Sequence, residues 1–290
     1  MQQARTREQL WSVLRPWRLA GQSTALVPTM GNLHDGHLAL VAAARQHADR
    51  VIVSIYVNPA QFGAGEDFLR YPRTLEDDLQ RLEAAQCDLA FLPDDRTIYP
   101  RGLDGATQVR AAPALANVLE GAFRPGHFDG VVTVVARLLN LAAPTIAVFG
   151  EKDFQQLLVI RRLVEDLGYP VRILPVATVR EPGGLALSSR NQYLDHAGRV
   201  AAAELSAALR EAAGRIGQGK VERREVEREA QERMRRKGLR VDYVAVRRSA
   251  DLGEAQQDDR DLRVLAAAWC GATRLIDNWP AGETNGPADI

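Results

Sequence analysis

Cysteine is nearly absent from this chain. Only Cys87 and Cys270 occur in 290 residues, far apart and in no metal-type or redox-type spacing. A disulfide framework and a cysteine-built metal site are therefore excluded. Two unclustered thiols suit a reducing cytoplasm, where each reads as a small buried apolar residue. Net charge is lacking as well, since 37 Lys and Arg balance 37 Asp and Glu. Proteins that grip nucleic acid through its phosphates are usually basic, so no nucleic-acid partner is expected. The opening "MQQARTREQLW" has no apolar core, so no secretory signal is expected. No long uninterrupted hydrophobic run exists. The most apolar stretch, "VVTVVARLLNLAAPTIAVFG", is broken by Arg137, Asn140 and Pro144. It reads as a buried helix followed by a strand, and no membrane partner is expected.

What is present is enough apolar material for a sizeable core: 46% of the residues are hydrophobic, which fits one large domain or two ordinary ones. Strand-like and helix-like segments alternate through the first half. "TALVP" precedes a helical Asp35–Asp49, and "VIVSIYV" is apolar on both faces, as in a strand covered on both sides. In "TLEDDLQRLEAAQC", Thr74 and Asp77 have the spacing of a capping box. "DLAFLP", "PTIAVFG" and "VRILPVATV" are further strands. Between the last two lies a helix carrying Leu157, Ile160, Leu163, Val164 and Leu167 on one face, with Gly168 as its stop. This alternation predicts an α/β fold, a Rossmann-like doubly wound parallel sheet with ligands along the rim formed by the strands' carboxyl ends. The texture changes late in the chain. "EREVEREAQERMRRKG" reads as a helix with a solvated charged face, and "VDYVAVRRSADL" and "LRVLAAAWCGATRLIDN" read as strands of a smaller sheet. The expected organisation is a nucleotide-binding domain over residues 1–176, a smaller C-terminal α+β domain over 177–280 acting as a lid, and a disordered tail over 281–290.

Histidine is scarce, five in all, yet two stand three apart in "PTMGNLHDGH". A strand ends, a glycine turn follows, and a helix begins near Asp35. The first turn of a helix has unpaired N–H groups and the positive end of its dipole, an anion site before any side chain is counted. His34 and His37 lie about one turn apart and can face the same way. Beside a triphosphate, imidazoles donate to phosphate oxygens and stabilise the charge that grows as pyrophosphate leaves. The alternatives are a zinc pair, for which no third ligand stands nearby, and an ordinary capping histidine. Other polar clusters follow predicted strands. "FGEKDFQQ" offers Lys152 for a phosphate and Asp153 for a ribose hydroxyl or a metal. "NPAQF" places Gln61 at the same rim. "LALSSRN" near the domain junction carries Arg190, a planar fork for phosphate or carboxylate. "FRPGHFDG" brings Arg124 and His127 into a Gly/Pro loop, either substrate-closing or structural.

Taken together, "VPTMGNLHDGH", "SIYVNPAQF", "RYPRTLEDD", "RPGHFDGV", "VFGEKDFQQL", "LALSSRNQYL" and "RLIDN" resemble the pantoate–β-alanine ligase family over residues 25–278. The H-x-G-H element alone marks a wider nucleotidyl-transfer superfamily shared with class I aminoacyl-tRNA synthetases. The resemblance implies an ATP-dependent condensation of (R)-pantoate with β-alanine through a pantoyl adenylate, releasing pyrophosphate and AMP, with Mg2+ required and a homodimer formed through the N-terminal domain. It implies that Met30, Gly31, Asn32, Leu33, His34, Asp35, Gly36 and His37 line the ATP site, with Gly150, Glu151, Lys152 and Asp153. Val179 flanks the adenine, and Leu187, Ser188, Ser189 and Arg190 close over the phosphates. Gln61 and Gln156 hold pantoate. His37, His34, Lys152 and Arg190 form the catalytic set. Asp77 and Asp78 resemble a metal-binding spot, but Arg81 stands where a further oxygen ligand would be wanted, so the metal ligands stay unassigned. The rival readings are another adenylyl-transferring enzyme of the superfamily and a non-catalytic nucleotide-binding module.

Overall fold

The structure is a computed structural model of the chain, and it describes residues 1–63, 65–219 and 221–282. By its internal contacts the chain forms two compact units. One comprises Met1–Glu151 with Val159–Val176, and the other comprises Lys152–Leu158 with the chain from Ala177.

The first unit is built on a parallel sheet. In chain order its elements are β1 (Gln2–Ala4), α1 (Arg7–Leu19), β2 (Thr24–Thr29), α2 (Asp35–His47), β3 (Arg50–Ile55), α3 (Leu75–Ala84) and β4 (Leu89–Phe91). Three single-turn helices follow, α4 (Asp95–Ile98), α5 (Pro113–Ala116) and α6 (Glu120–Phe123), then α7 (His127–Ala142), β5 (Ile146–Gly150), α8 (Phe154–Leu167), whose residues up to Leu158 belong to the second unit, and β6 (Arg172–Val176). The six strands lie in the order β1-β4-β3-β2-β5-β6, all pairs parallel. β1 was not anticipated; three residues give too little pattern to read. β3 shows why the sheet is buried on both faces: Val51, Ile52, Val53 and Ser54 are all buried, with no polar–apolar alternation. One layer of the core is formed by Val27, Leu40, Val41, Ala44, Val53, Leu82 and Val148.

From β2 the chain winds outward through β3 and β4, then returns to place β5 on the other side of β2. The reversal makes β2/β5 the topological switch point, where open α/β sheets leave a crevice beyond the strand ends. Pro28 enlarges it. β2 pairs with β3 along its whole length, Thr24↔Arg50 to Thr29↔Ile55, but with β5 at only Ala25↔Ile146 and Leu26↔Ala147. Thr145 N donates to Thr24 O on the β5 side, and Tyr56 N donates to Thr29 O on the β3 side. The alternation therefore turns the nitrogen of Pro28, which has no hydrogen to give, toward β5.

Two local expectations are corrected. Thr74 makes no side-chain cap to α3. Its hydroxyl instead donates to Asp78 Oδ1 (3.3 Å) and contacts Asn32 Oδ1 (3.4 Å), because the buried acid is Asp78 and Asp77 is exposed. On α8, Leu157, Ile160 and Leu163 are buried, Val164 is half-buried, and Leu167 in the last turn is exposed. Gly168 ends this helix as expected, at φ +62, with Tyr169 N donating back to Val164 O.

The second unit contains α9 (His196–Gly217), α10 (Arg223–Arg236) and an antiparallel sheet β7 (Arg240–Arg248), β8 (Asp261–Cys270) and β9 (Thr273–Gly282), in that order. α10 is almost entirely charged, yet Val226, Ala230 and Met234 recur every four residues and are buried. They join Leu205, Leu209, Val244, Val264 and Leu275 in a separate core. β9 runs to Gly282, so Ala281 and Gly282, expected in the tail, are strand; residues 283–290 lie outside the described residues. Cys87 is buried, whereas Cys270 is only half-buried, at the β8–β9 turn. Among the described residues no helix is long and apolar enough to cross a membrane.

Candidate active site

β2 delivers the chain into a tight turn. Gly31 (φ +81) and Asn32 (φ +51) are both left-handed. A Cβ on Gly31 would lie 3.0 Å from Asp78 Oδ2 and 3.1 Å from Ile55 Cγ2, so only glycine fits without movement. The turn is held from outside by Asp78, which is 1% exposed. Its carboxylate accepts from Asn32 N (2.9 Å) and Leu33 N (2.7 Å), one backbone donor on each oxygen. Both oxygens of the residue that resembled a metal ligand are thus committed to the backbone. Arg81 approaches Asp35 at 3.9 Å instead.

The two histidines close the start of α2 on each other. His34 is the N-cap, and its Nδ1 accepts from Gly36 N (3.1 Å). His37 Nδ1 accepts from His34 N (3.3 Å). The pairing is a capping box with imidazoles in place of Ser and Glu, and the rings stand 4.1 Å apart, centroid to centroid. Because each Nδ1 accepts, the network assigns the proton of each neutral ring to Nε2. Both the capping role and the anion-site role read from the sequence are compatible with this geometry, since the cap occupies the other nitrogen.

The neighbouring strand end brings up Gln61. Pro59–Gln61 form a single 3-10 turn capped by Asn58, whose Oδ1 accepts from Ala60 N. Asn58 is 1% exposed. It donates to Gly130 O and Gln61 Oε1 (both 3.2 Å) and accepts from Tyr99 OH (2.8 Å). Gln61 Nε2 donates to Met30 Sδ (3.1 Å), so the Gln61 side chain meets the turn that leads to the histidines. Across the switch point, Gly150 ends β5 facing α2; a Cβ there would lie 3.9 Å from Leu40 Cδ2. Glu151 follows it, half-buried.

The second unit carries the remaining predicted residues. Lys152 Nζ lies 3.6 Å from Asp153 Oδ1, and Lys152 O accepts from Asn278 Nδ2 (2.9 Å). Asn278 Oδ1 in turn accepts from Arg263 Nη1 (2.6 Å), and that guanidinium covers the ring of Phe154 at 3.7 Å. In the "QQ" pair Gln155 is buried, and Gln156, the predicted pantoate ligand, is half-buried. Val179 and Leu187 face each other across a small hairpin, with Leu187 N donating to Val179 O (2.9 Å) and Arg180 bridged to Ala186. Arg180 anchors it through a bidentate pair with Asp277 (2.7 and 2.9 Å). Ser188 caps the 3-10 turn Ser189–Tyr193 by accepting from Arg190 N. Buried Asn191 ties the turn back to Ala186 O and Glu181. Leu187, Ser188, Ser189 and Arg190 are all half-buried.

The family model for pantoate-beta-alanine ligase matches residues 2–280. The chain belongs to the pantoate–β-alanine ligase family. Among its relatives is a pantothenate synthetase of Thioalkalivibrio sulfidiphilus, 54% identical over 280 residues, 97% of this chain and 98% of that one. Another, from Methylococcus capsulatus, is 51% identical over 94% of this chain and 95% of its own length. Among solved structures, a pantothenate synthetase of Thermus thermophilus superposes with a TM-score of 0.90 at 45% identity, covering 96% and 99% of the two chains. A pantoate–β-alanine ligase of Francisella tularensis, solved with a β,γ-ATP compound and β-alanine, gives a TM-score of 0.81 at 34% identity and 97% coverage of each chain. The ligase fold expected from the sequence is the one observed.

For this ligase, sequence reasoning missed the residues that hold the site from behind. Asn58 was legible, because an Asn before Pro at a strand end is a turn and cap signal. Asp277 and Asn278 sat inside a recognised motif with no role attached. Asp78 was noticed only for its resemblance to a metal-binding spot and not for its hold on the turn, and Glu66 carried no signal.

Proposed function

We propose that this ligase condenses pantoate with β-alanine at the expense of ATP, through pantoyl adenylate. The observation that carries the assignment of roles is the reciprocal cap of His34 and His37, which fixes two Nε2–H donors at a helix N-terminus. A carboxylate is a poor acyl donor. Attack of a pantoate carboxylate oxygen on the α-phosphorus of ATP forms a mixed anhydride and releases pyrophosphate. The β-alanine amine then attacks the acyl carbon, loses a proton and expels AMP, leaving the amide.

In this reading Met30–His37 receive ATP, and His34 and His37 donate to its phosphates. His37 acts as an electrostatic stabiliser of the departing pyrophosphate. Gly150, Glu151, Lys152 and Asp153 also contact ATP, with Lys152 and Arg190 balancing phosphate charge. Val179 flanks the adenine, Leu187, Ser188 and Ser189 close over the phosphates, and Gln61 and Gln156 hold pantoate. Among the described residues no three His, Cys, Asp or Glu side chains cluster as a metal cage. This fits Mg2+ arriving on the triphosphate, since Mg2+ keeps waters and needs few protein carboxylates. A homodimer and a cytoplasmic location complete the proposal. The ATP and β-alanine parts of the proposal are supported by a relative of 34% identity that was solved with a β,γ-ATP compound and β-alanine.

The test is product analysis with ATP, pantoate and β-alanine, omitting each in turn. Pantothenate and AMP are expected only with all three, and pyrophosphate exchange into ATP only when pantoate is present. Exchange without pantoate refutes this substrate; ATP binding without AMP release marks a binding module.

A further inference from the structure

Arg124, the C-cap of α6, and His127, the first residue of α7, form a compact polar network in the first unit. Arg124 makes two parallel bonds to Glu66, Nε to Oε1 (2.7 Å) and Nη2 to Oε2 (2.6 Å). Its Nη1 meets His127 Nε2 at 3.0 Å. A guanidinium has donors only, so His127 Nε2 is the acceptor and the ring proton sits on Nδ1. That Nδ1–H points at the backbone carbonyl of Gln61, 2.7 Å away, and Arg124 Nη2 reaches the same oxygen at 3.3 Å.

The carbonyl needs such support because the turn beneath it is weakly bonded within itself. Gln61 N reaches Asn58 O only at 3.5 Å, and Phe62 N reaches Pro59 O at 3.2 Å. A three-residue turn of this kind takes its orientation from what abuts it. The first turn of α7 does so closely: a Cβ on Gly130 would lie 2.2 Å from Ala60 O and 2.7 Å from Gln61 N. The Gln61 backbone is thus seated on Gly130 and gripped by His127 and Arg124, while its amide is oriented by Asn58 and Met30.

We propose that Arg124 and His127 are positioning residues for pantoate, acting through the Gln61 carbonyl, with Glu66 locking the guanidinium in place. This rests on the reading of Gln61 as a pantoate-binding residue. The network sets the direction in which the Gln61 amide leaves the turn, and contributes no contact to the nucleotide.

The test measures KM for pantoate and for ATP, kcat and thermal melting in four proteins: wild type, Gln61→Ala, His127→Phe and His127→Asn. The phenyl ring keeps the shape and loses both hydrogen bonds. The Asn amide nitrogen takes the place of Nδ1 and restores the bond to Gln61 O. His127→Phe is expected to raise KM for pantoate about tenfold, the order of one lost hydrogen bond, with KM for ATP within about twofold of wild type. His127→Asn is expected to recover most of that loss. An unchanged KM for pantoate in His127→Phe overturns the proposal, as does an equal rise for both substrates or an Asn variant no better than Phe. Gln61→Ala separates the two levels. If it leaves KM for pantoate unchanged, the reading of Gln61 fails and the inference with it; if it raises KM while His127→Phe does not, only the inference fails. Should His127→Phe not fold, Glu66→Gln takes its place, loosening Arg124 without touching Gln61, and is read by the same pantoate-selective rise in KM.

Discussion

Replacing Asp78 by Asn tests the turn that carries the histidines with one change of atom. The buried carboxylate accepts two backbone donors, Asn32 N on one oxygen and Leu33 N on the other. Asparagine keeps one acceptor and turns the other position into a donor that faces an N–H. A hydrogen bond to a charged group contributes about 1.5–3 kcal/mol, and a buried donor left unmet costs about 1–3 kcal/mol. The substitution therefore destabilises the protein by about 2–4 kcal/mol. In a protein of this size that lowers Tm by roughly 5–15 °C. The same change frees the left-handed Gly31–Asn32 turn, and displacement of a reacting group by about 1 Å costs about 10²-fold in rate. Calorimetry reads the first effect and pantoate-dependent pyrophosphate exchange, assayed well below Tm, reads the second. Excess Mg2+ is expected to rescue neither, because both oxygens are engaged with backbone. A variant that melts and turns over like wild type refutes the reasoning, and recovery by Mg2+ returns Asp78 to the metal.

His37→Ala is expected to slow adenylation about 10²-fold or more, the usual cost of a donor lost at the transition state; isotope exchange measures it. The fold should survive, since one N-terminal cap bond is lost from His34 N. Asp277→Asn leaves Arg180 without its bidentate partner, where the acid is 2% exposed, and should cost about 3–5 kcal/mol in denaturant melts. His127 supplies a pH dependence. Burial and the Arg124 charge push its pKa from 6.5 down to about 4, against the opposing pull of the Gln61 carbonyl, Glu66 and Glu120. The unfolded chain then binds the extra proton first as pH falls, so this contribution is complete above about 6.5 and is lost progressively toward 4. The wild type should lose stability across that window by more than His127→Asn does, and parallel melting curves for the two would contradict it.

The sheet was legible because its strands are apolar on both faces and punctuated by helices, a pattern that β3 shows most plainly. The histidine pair was legible because of its position after a strand and a glycine turn. What escaped was tertiary. Asp78 supports a turn 45 residues before it in sequence, and an acid in a helix's first turn already has a sufficient local explanation in the helix dipole. Thr74 was misread for the same reason: its local pattern fitted a cap, while a buried carboxylate one turn on offered a better partner. Arg124 and His127 converge on the Gln61 carbonyl from about sixty residues away, with Glu66 holding the guanidinium, and no spacing rule reaches that far.

Pro28 gives the central strand a vacancy that thermal motion does not repair. Elsewhere in a parallel sheet a gap between neighbours closes when their donors and acceptors swing into line. Here the hydrogen that would zip β2 to β5 past Leu26 is missing from the covalent structure. The β2–β5 ladder accordingly stops at Leu26 and Ala147, short of the strands' carboxyl ends. Pro28→Val, by returning that hydrogen, would let β2 pair with β5 further along, at the rim where the nucleotide is proposed to lie.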